Sequence, residues 1–421
     1  MKLTEPRTLS GFMELMPEEQ IVFNKYKKII EETYEKYSFY PLDTPVIEYA
    51  NVLLAKAGGE TEKQIYRFKK GDNDLALRFD LTVPLAKYVA ARQNELIFPF
   101  KRYQIGKVYR GERAQKGRFR EFYQCDIDVI GDEDLPLIYD AQIPAIISEI
   151  FEKMNIGKFK IRINNRKILT GFFESLNLEN KIMDILRIID KIDKIGIENI
   201  KKELLELNIE NVDKIIDFIN IKENVIEKLE NLNIVNETFN LGIKEMKEVV
   251  YYLDLMKVKN YYIDLTIARG LDYYTGTIYE TFLTDYPEIG SISSGGRYEN
   301  LAGYYTDKKL PGVGMSIGLT RLFYKLNELG LIKENKTNIA DYLIVPMDTN
   351  YEYIFKVYNK LRDNGKKAEI CLLDKSFKSK MKYANRTKIP YVIIIGENEI
   401  NTNTVVIKNM QDGTQTVEKI F

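Results

Sequence analysis

One stretch of the chain, residues 108–131 (VYRGERAQKGRFREFYQCDIDVIG), gathers side chains that together could hold a charged, planar ligand. Arg110 is a guanidinium fork that fits phosphate or carboxylate oxygens. Gln124 is an amide and Asp128 a carboxylate, and both accept N–H donors. Phe122 is an aromatic plate on which a ring can stack. A cation, an amide, a carboxylate and a plate suit a ligand with an anionic group and an amine.

The elements that must position them can be read from the pattern. Arg110 and Glu112 follow a strand (VYR). A polar loop from Arg113 to Gly117 carries Gln115 and Lys116. A second strand runs through Phe119, Phe122, Cys125, Ile127 and Val129. Strand alternation puts Gln124, Asp126 and Asp128 on the face opposite Cys125, Ile127 and Val129. Taken alone this is an antiparallel hairpin with a charged solvent face. The concentration of charge at Arg110, Glu112, Arg113, Arg118 and Arg120 beside strand formers argues for more, and similar chemistry recurs elsewhere in the chain.

In YRFKKGDNDLALRFDLTVPLAKYVAAR (66–92), two strands joined by a turn at Gly71–Asp74 lead to a helix beginning near Thr82, with Asp80 and Thr82 at the junction. Either residue could simply cap the helix. In YYIDLTIARGLDYYTGTIYETF (261–282), Arg269-Gly270 interrupts a strand-like alternation ahead of Tyr273 and Tyr274; a turn with aromatic flanks is the plain reading. GSISSGGRYENL (290–301) offers Gly295-Gly296, where backbone can approach a ligand closely. PGVGMSIGLTRLF (311–323) reads as a strand running into a helix that carries Arg321.

Arg-x-Glu, a basic loop and Arg-x-x-x-Phe resemble motif 2 of the class II aminoacyl-tRNA synthetases. The longer wording RYQIGKVYRGERAQKGRFREFYQCDIDVIG, with ARGLDYYTG, resembles the histidyl-tRNA synthetases. FYPLDTPVIEY, with Pro41 and Pro45, is similar to the dimer-forming motif 1, and the segment with Arg321 to motif 3. The resemblance implies histidine activation by ATP, followed by transfer to the 3′ end of tRNA-His. Asp80, Thr82 and Gln124 would hold the amino acid's backbone groups, and Asp128 with Tyr274 the imidazole nitrogens, in a pocket that Tyr273 also lines. Arg110 and Arg269 would grip carboxylate and α-phosphate oxygens, with Gln124 beside them in the catalytic set. Phe122 would stack adenine, Glu112 would help place it, and Arg321 would meet the γ-phosphate. Arg113 and Gln115 would meet the acceptor end of tRNA. Mg²⁺ would accompany ATP, with no metal cage from the protein.

Composition sets the limits. The 421 residues suffice for two or three domains. Acids and bases balance at 62 each, so a nucleic-acid partner needs local basic patches. Two cysteines far apart give no disulfide framework. The chain has no histidine, which excludes Ser-His-Asp and Cys-His catalysis and histidine metal ligands. No apolar signal core or membrane-length apolar run is visible, and the expected compartment is the cytoplasm.

The expected fold is α+β. A class II antiparallel-sheet catalytic core spans 1–330, with an all-helical insertion at 172–256 and an amphipathic helix at 17–37 whose Val22, Tyr26, Ile29, Ile30 and Tyr37 share one side. A linker at 331–338 precedes an α/β unit over 339–421 that resembles the anticodon-binding domain of these enzymes, with a basic run from Lys375 to Lys388. A homodimer and no membrane association complete the expectation. The alternative is a non-catalytic paralogue: the regulatory subunit of ATP phosphoribosyltransferase or a sensor of uncharged tRNA. The C-terminal unit and the intact Arg110, Gln124 and Arg269 set argue against it.

Overall fold

The computed structural model describes residues 3–55, 60–113, 117–268, 274–332, 338–347, 349–372 and 375–419. Two compact units divide the chain: residues 1–14 with 26–332, and residues 15–25 with 333–421.

The strands of the first unit are β1 (Tyr40–Pro41), β2 (Ile47–Tyr49), β3 (Arg67–Lys70), β4 (Asn73–Leu77), β5 (Phe100–Tyr109), β6 (Glu121–Ile130), β7 (Phe159–Asn165), β8 (Tyr261–Ile263), β9 (Tyr274–Leu283), β10 (Ser293–Tyr298) and β11 (Gly312–Gly318). Eight of them form one sheet in the order β1-β5-β6-β11-β10-β9-β7-β8. Its central pairings are antiparallel; β1 with β5 and β7 with β8, at the two edges, are parallel. The fold is therefore the expected α+β, with an antiparallel-rich sheet. A three-stranded sheet, β2-β4-β3, stands beside it.

β5 and β6 are long because both their faces are covered. Along β6 the apolar set Cys125, Ile127 and Val129 is fully buried, and so nearly are Asp126 and Asp128 on the other face. A charged solvent face is thus the wrong reading of this hairpin. The apolar side is closed by helices. Tyr34, near the end of the Pro17–Lys36 helix, donates its hydroxyl to the Cys125 carbonyl at 2.9 Å. That helix buries Val22, Phe23, Tyr26, Ile30, Thr33 and Tyr34, whereas Ile29 and Tyr37 sit at its margin. On the same side of the sheet, Arg297 of β10 pairs with Asp140 of the Ile138–Met154 helix (Nε to Oδ1 3.0 Å), and Tyr279 donates to the Asp140 carbonyl at 2.7 Å.

The hairpin ends differ in detail from expectation. β5 stops at Tyr109, so Arg110 and Glu112 lie past it, and β6 begins at Glu121, after Phe119. The Arg110 amide still pairs with the Arg120 carbonyl at 2.9 Å. The β3–β4 turn is tighter than read, with Lys70 opposite Asn73 and Gly71 at φ 59°. β8 and β9 do not form a hairpin; β7 lies between them.

Residues 172–256 are helical, ending in a Glu237–Leu255 helix that packs on the Ile138–Met154 and Arg166–Ser175 helices and on β7.

In the second unit β12 (Tyr342–Pro346), β13 (Ala368–Ile370), β14 (Tyr391–Ile395), β15 (Thr404–Asn409) and β16 (Gln415–Lys419) order as β13-β12-β14-β15-β16, the first three parallel and the last two antiparallel. Helices Tyr351–Asp363 and Phe377–Arg386 supply the crossovers. Gly365, at φ 70° just past the first, ends it as its sequence position implies. β16 and the short Glu397–Thr402 helix went unread in the sequence. No helix among the described residues is long and apolar enough to cross a membrane.

Candidate functional site

The site face of the large sheet is assembled by register. Gln124, Asp126 and Asp128 of β6 lie opposite Gly106, Gln104 and Arg102 of β5 on one side, and opposite Gly318, Ser316 and Gly314 of β11 on the other. Paired residues of adjacent strands project to the same face, so these nine positions form one surface.

Glycine makes that surface a floor. Gly295 and Gly296 lie mid-strand in β10. A Cβ on Gly296 would fall 2.7 Å from the Thr277 carbonyl oxygen and 2.9 Å from the Tyr274 ring. A Cβ on Gly314 would overlap Oδ1 of Asp128 and lie 2.5 Å from the Ile127 carbonyl oxygen. Strand β11 can therefore run beside the Asp128 carboxylate only without a side chain there.

Asp128 is gripped from two sides. Arg102, with no exposed surface, places Nη2 2.7 Å from its Oδ2, and the Tyr298 hydroxyl donates to its Oδ1 at 3.1 Å. Burial pushes the Asp128 carboxyl up to about 6, even though Arg102 and the Tyr298 hydrogen bond favour its charged form. Burial raises Asp126 further, to about 7; Arg102 pulls it down, Asp128 pushes it up, and a hydrogen bond from Ser316 favours the charge. The Ser316 hydroxyl also accepts from Gln124 Nε2 at 3.2 Å. Among the described residues, Gln124 Oε1, Asp126 Oδ1 and the Nε and Nη1 atoms of Arg102 are buried without a hydrogen-bond partner.

At the other end of the face, the Arg110 guanidinium lies over two rings, 4.4 Å from the centroid of Phe79 and 5.1 Å from that of Phe122, and Nε donates to the Phe79 carbonyl at 3.2 Å. Its direction is fixed before any ligand arrives. Glu112 pairs with Arg118, and its carbonyl accepts from Arg120 Nε at 2.8 Å. Asp80 does cap: its Oδ1 accepts from the amides of Thr82 (3.1 Å) and Val83 (2.9 Å) as the Thr82–Arg92 helix begins. Its charge also reaches Asp126 and Asp128, raising both.

Tyr274 opens β9 opposite Tyr298 and packs with it against Ala86 and Leu301; its carbonyl accepts from Arg166 at 3.0 Å. The tyrosine bonded to Asp128 is Tyr298. Arg321 starts the Leu319–Glu328 helix directly after β11, is exposed, and donates Nη2 to the Ile289 carbonyl at 2.5 Å. Arg113 is exposed. Arg269, Tyr273 and Gln115 lie outside the described residues.

A family model described as histidyl-tRNA synthetase matches residues 11–322, and one described as an anticodon-binding domain matches 341–420. The chain belongs to the histidyl-tRNA synthetase family. A histidine–tRNA ligase of Clostridium tetani is 56% identical over 98% of this chain and 96% of its own length; one of Finegoldia magna is 49% identical over 98% and 97%. The crystal structure of a histidyl-tRNA synthetase from a Nostoc species superposes with a TM-score of 0.93 at 42% identity, covering 99% of this chain and 97% of that one. A structure from Bacillus halodurans titled as an ATP phosphoribosyltransferase regulatory subunit/histidyl-tRNA synthetase superposes at 0.76 with 20% identity over 91% and 97%, which shows the shared fold alone.

Within the synthetase fold, three partners escaped sequence reading. Arg102 is signalled only by a cation amid an alternating strand; Ser316 is placed by its register to Asp126, and Tyr298 reaches Asp128 across bare Gly312 and Gly314.

Proposed function

We propose that this chain is the catalytic histidine–tRNA ligase: it activates L-histidine with ATP, as its Mg²⁺ complex, to histidyl-adenylate and transfers histidine to tRNA-His. The observation that carries the reading is the polarity of the β6 face. A pre-aimed guanidinium beside aromatic rings marks one end, and buried carboxylates the other. Phe122 to Asp128 spans roughly 20 Å at ~3.3 Å per residue, room for adenine, phosphate and amino acid end to end.

Phe122 stacks adenine and Glu112 helps place it. Arg321 takes the γ-phosphate after exchanging its carbonyl partner. Arg110 and Arg269 stabilise the charge that grows on the α-phosphate as the histidine carboxylate attacks. Asp80, Thr82 and Gln124 orient the amino group; Asp128, Tyr273 and Tyr274 select the ring. Arg113 and Gln115 meet the acceptor end of the tRNA. With no histidine in the chain, the adenylate phosphate itself accepts the proton during transfer.

The domain division is a core over 1–330 with the 172–256 insertion, a linker at 331–338 and an anticodon-reading unit over 339–421. Solvent-facing Tyr40 (70% exposed), Ile47 (47%) and Tyr49 (56%) on β1 and β2 support a homodimer through this segment. The enzyme works in the cytoplasm. Charging of a tRNA-His transcript with labelled histidine tests the whole reading: ester formation supports it, and adenylate formation without any ester leaves only the first half-reaction.

A further inference from the structure

Asp126 has no task in the reading above, yet it occupies the middle of the site face. The charge balance around it is uneven. Asp126 and Asp128 are 3% and 5% exposed, and among the described residues Arg102 is the cation whose charge acts on both. Arg102 spends Nη2 on Asp128 and the Leu81 carbonyl, and among the described residues its Nε and Nη1 and the Asp126 Oδ1 find no partner. Among the described residues, the groups facing Asp126 are Arg102 from β5, Asp128 on its own strand, Ser316 from β11 and Asp80 from the turn before the Thr82–Arg92 helix; Tyr34 and Cys125 sense its charge from the opposite side. Fully ionised, the Arg102–Asp126–Asp128 group carries one negative charge in excess. A buried charge of that kind must take a proton or a cationic partner.

We propose that Asp126 is a specificity-determining residue of the amino-acid pocket, its buried Oδ1 and surplus charge accepting an N–H of the bound histidine while Arg102 and Tyr298 hold Asp128 in place. This rests on the histidine-activating reading. Before binding, Asp126 shares a proton; the substrate's N–H displaces it. The elevated affinity of Asp126 for protons near neutrality agrees with that exchange.

Two measurements on the full-length enzyme test it. Calorimetric titration of wild type with histidine at pH 7, in buffers of different ionisation enthalpy, should show release of about half a proton; no release overturns the proposal and needs no variant. Asp126→Asn should raise KM for histidine in ATP–pyrophosphate exchange at least about tenfold, leave KM for ATP unchanged, and abolish the proton release. Thiazolylalanine, whose ring lacks the N–H, then locates the contact. A loss confined to histidine puts it on the ring, and an equal loss for both puts it on the ammonium; either upholds the assignment. Asp126→Asn with wild-type histidine KM and unchanged proton release overturns it. Wild type that binds histidine with proton release but gives no exchange fails the ligase reading and leaves the binding assignment standing.

Discussion

Arg102 and Asp128 face each other across one rung of the β5–β6 ladder, 2.7 Å apart, and Arg102 has no solvent contact at all. The pair is an anchor: it fixes a carboxylate that would otherwise be free to turn, and the Tyr298 hydroxyl fixes its second oxygen. Removing the cation leaves two buried carboxylates facing each other, so Arg102→Met should be far more damaging than its volume change implies. The expected cost is about 3–5 kcal/mol, read by denaturant unfolding. Pairing it with Asp126→Asn, which deletes one of the stranded charges, should recover part of that loss.

Arg297 and Asp140 form the corresponding anchor on the helical side of the sheet, with Asp140 fully buried and a further bond from Arg297 Nη2 to the Leu135 carbonyl at 2.9 Å. Arg297→Ala should destabilise by about 3–5 kcal/mol because Asp140 is left buried without its cation. Asp140→Asn in the same background should soften the effect, measurable as a double-mutant cycle in urea.

Stability near the site should depend on pH with a definite sign. Burial first, and Asp128 and Asp80 after it, raise Asp126 from the usual carboxylate value of 3.8 to about 7. The folded state therefore binds the extra proton between those values. The stability Asp126 contributes is fully present below about pH 4 and is lost as pH rises through 7. Asp126→Asn should thus be more stable than wild type at pH 8, by about 1–3 kcal/mol, and match it near pH 4. Scanning calorimetry across that range checks both ends.

Arg110 is oriented by ring faces and a carbonyl, geometry that only a planar guanidinium satisfies. Arg110→Lys keeps the charge and loses the fork. We expect kcat for pyrophosphate exchange to fall about 10²–10³-fold with an unchanged melting temperature.

The strand pattern of β6 and the helix start at Thr82 were legible because period and capping are local properties. The face of β6 was half legible. Alternation correctly separated Gln124, Asp126 and Asp128 from Cys125, Ile127 and Val129, but it cannot say whether the polar side meets water. Burial there comes from β11, β10 and the turn at Leu81, all distant in sequence. For the same reason Tyr298 was hidden: its link to Asp128 spans 170 positions and depends on Gly312 and Gly314 keeping β11 bare between them. Gly295-Gly296 could be read as backbone open to close approach, but not placed within an element; here the close packing of β9, β10 and β11 requires them inside a strand.

The most direct test of the central claim is ATP–pyrophosphate exchange by the purified chain, run with each of the standard amino acids and beside Arg110→Ala. Exchange should occur with histidine alone and fall at least about 100-fold with the substitution. Histidine binding without exchange, or equal exchange with another amino acid, would contradict that claim.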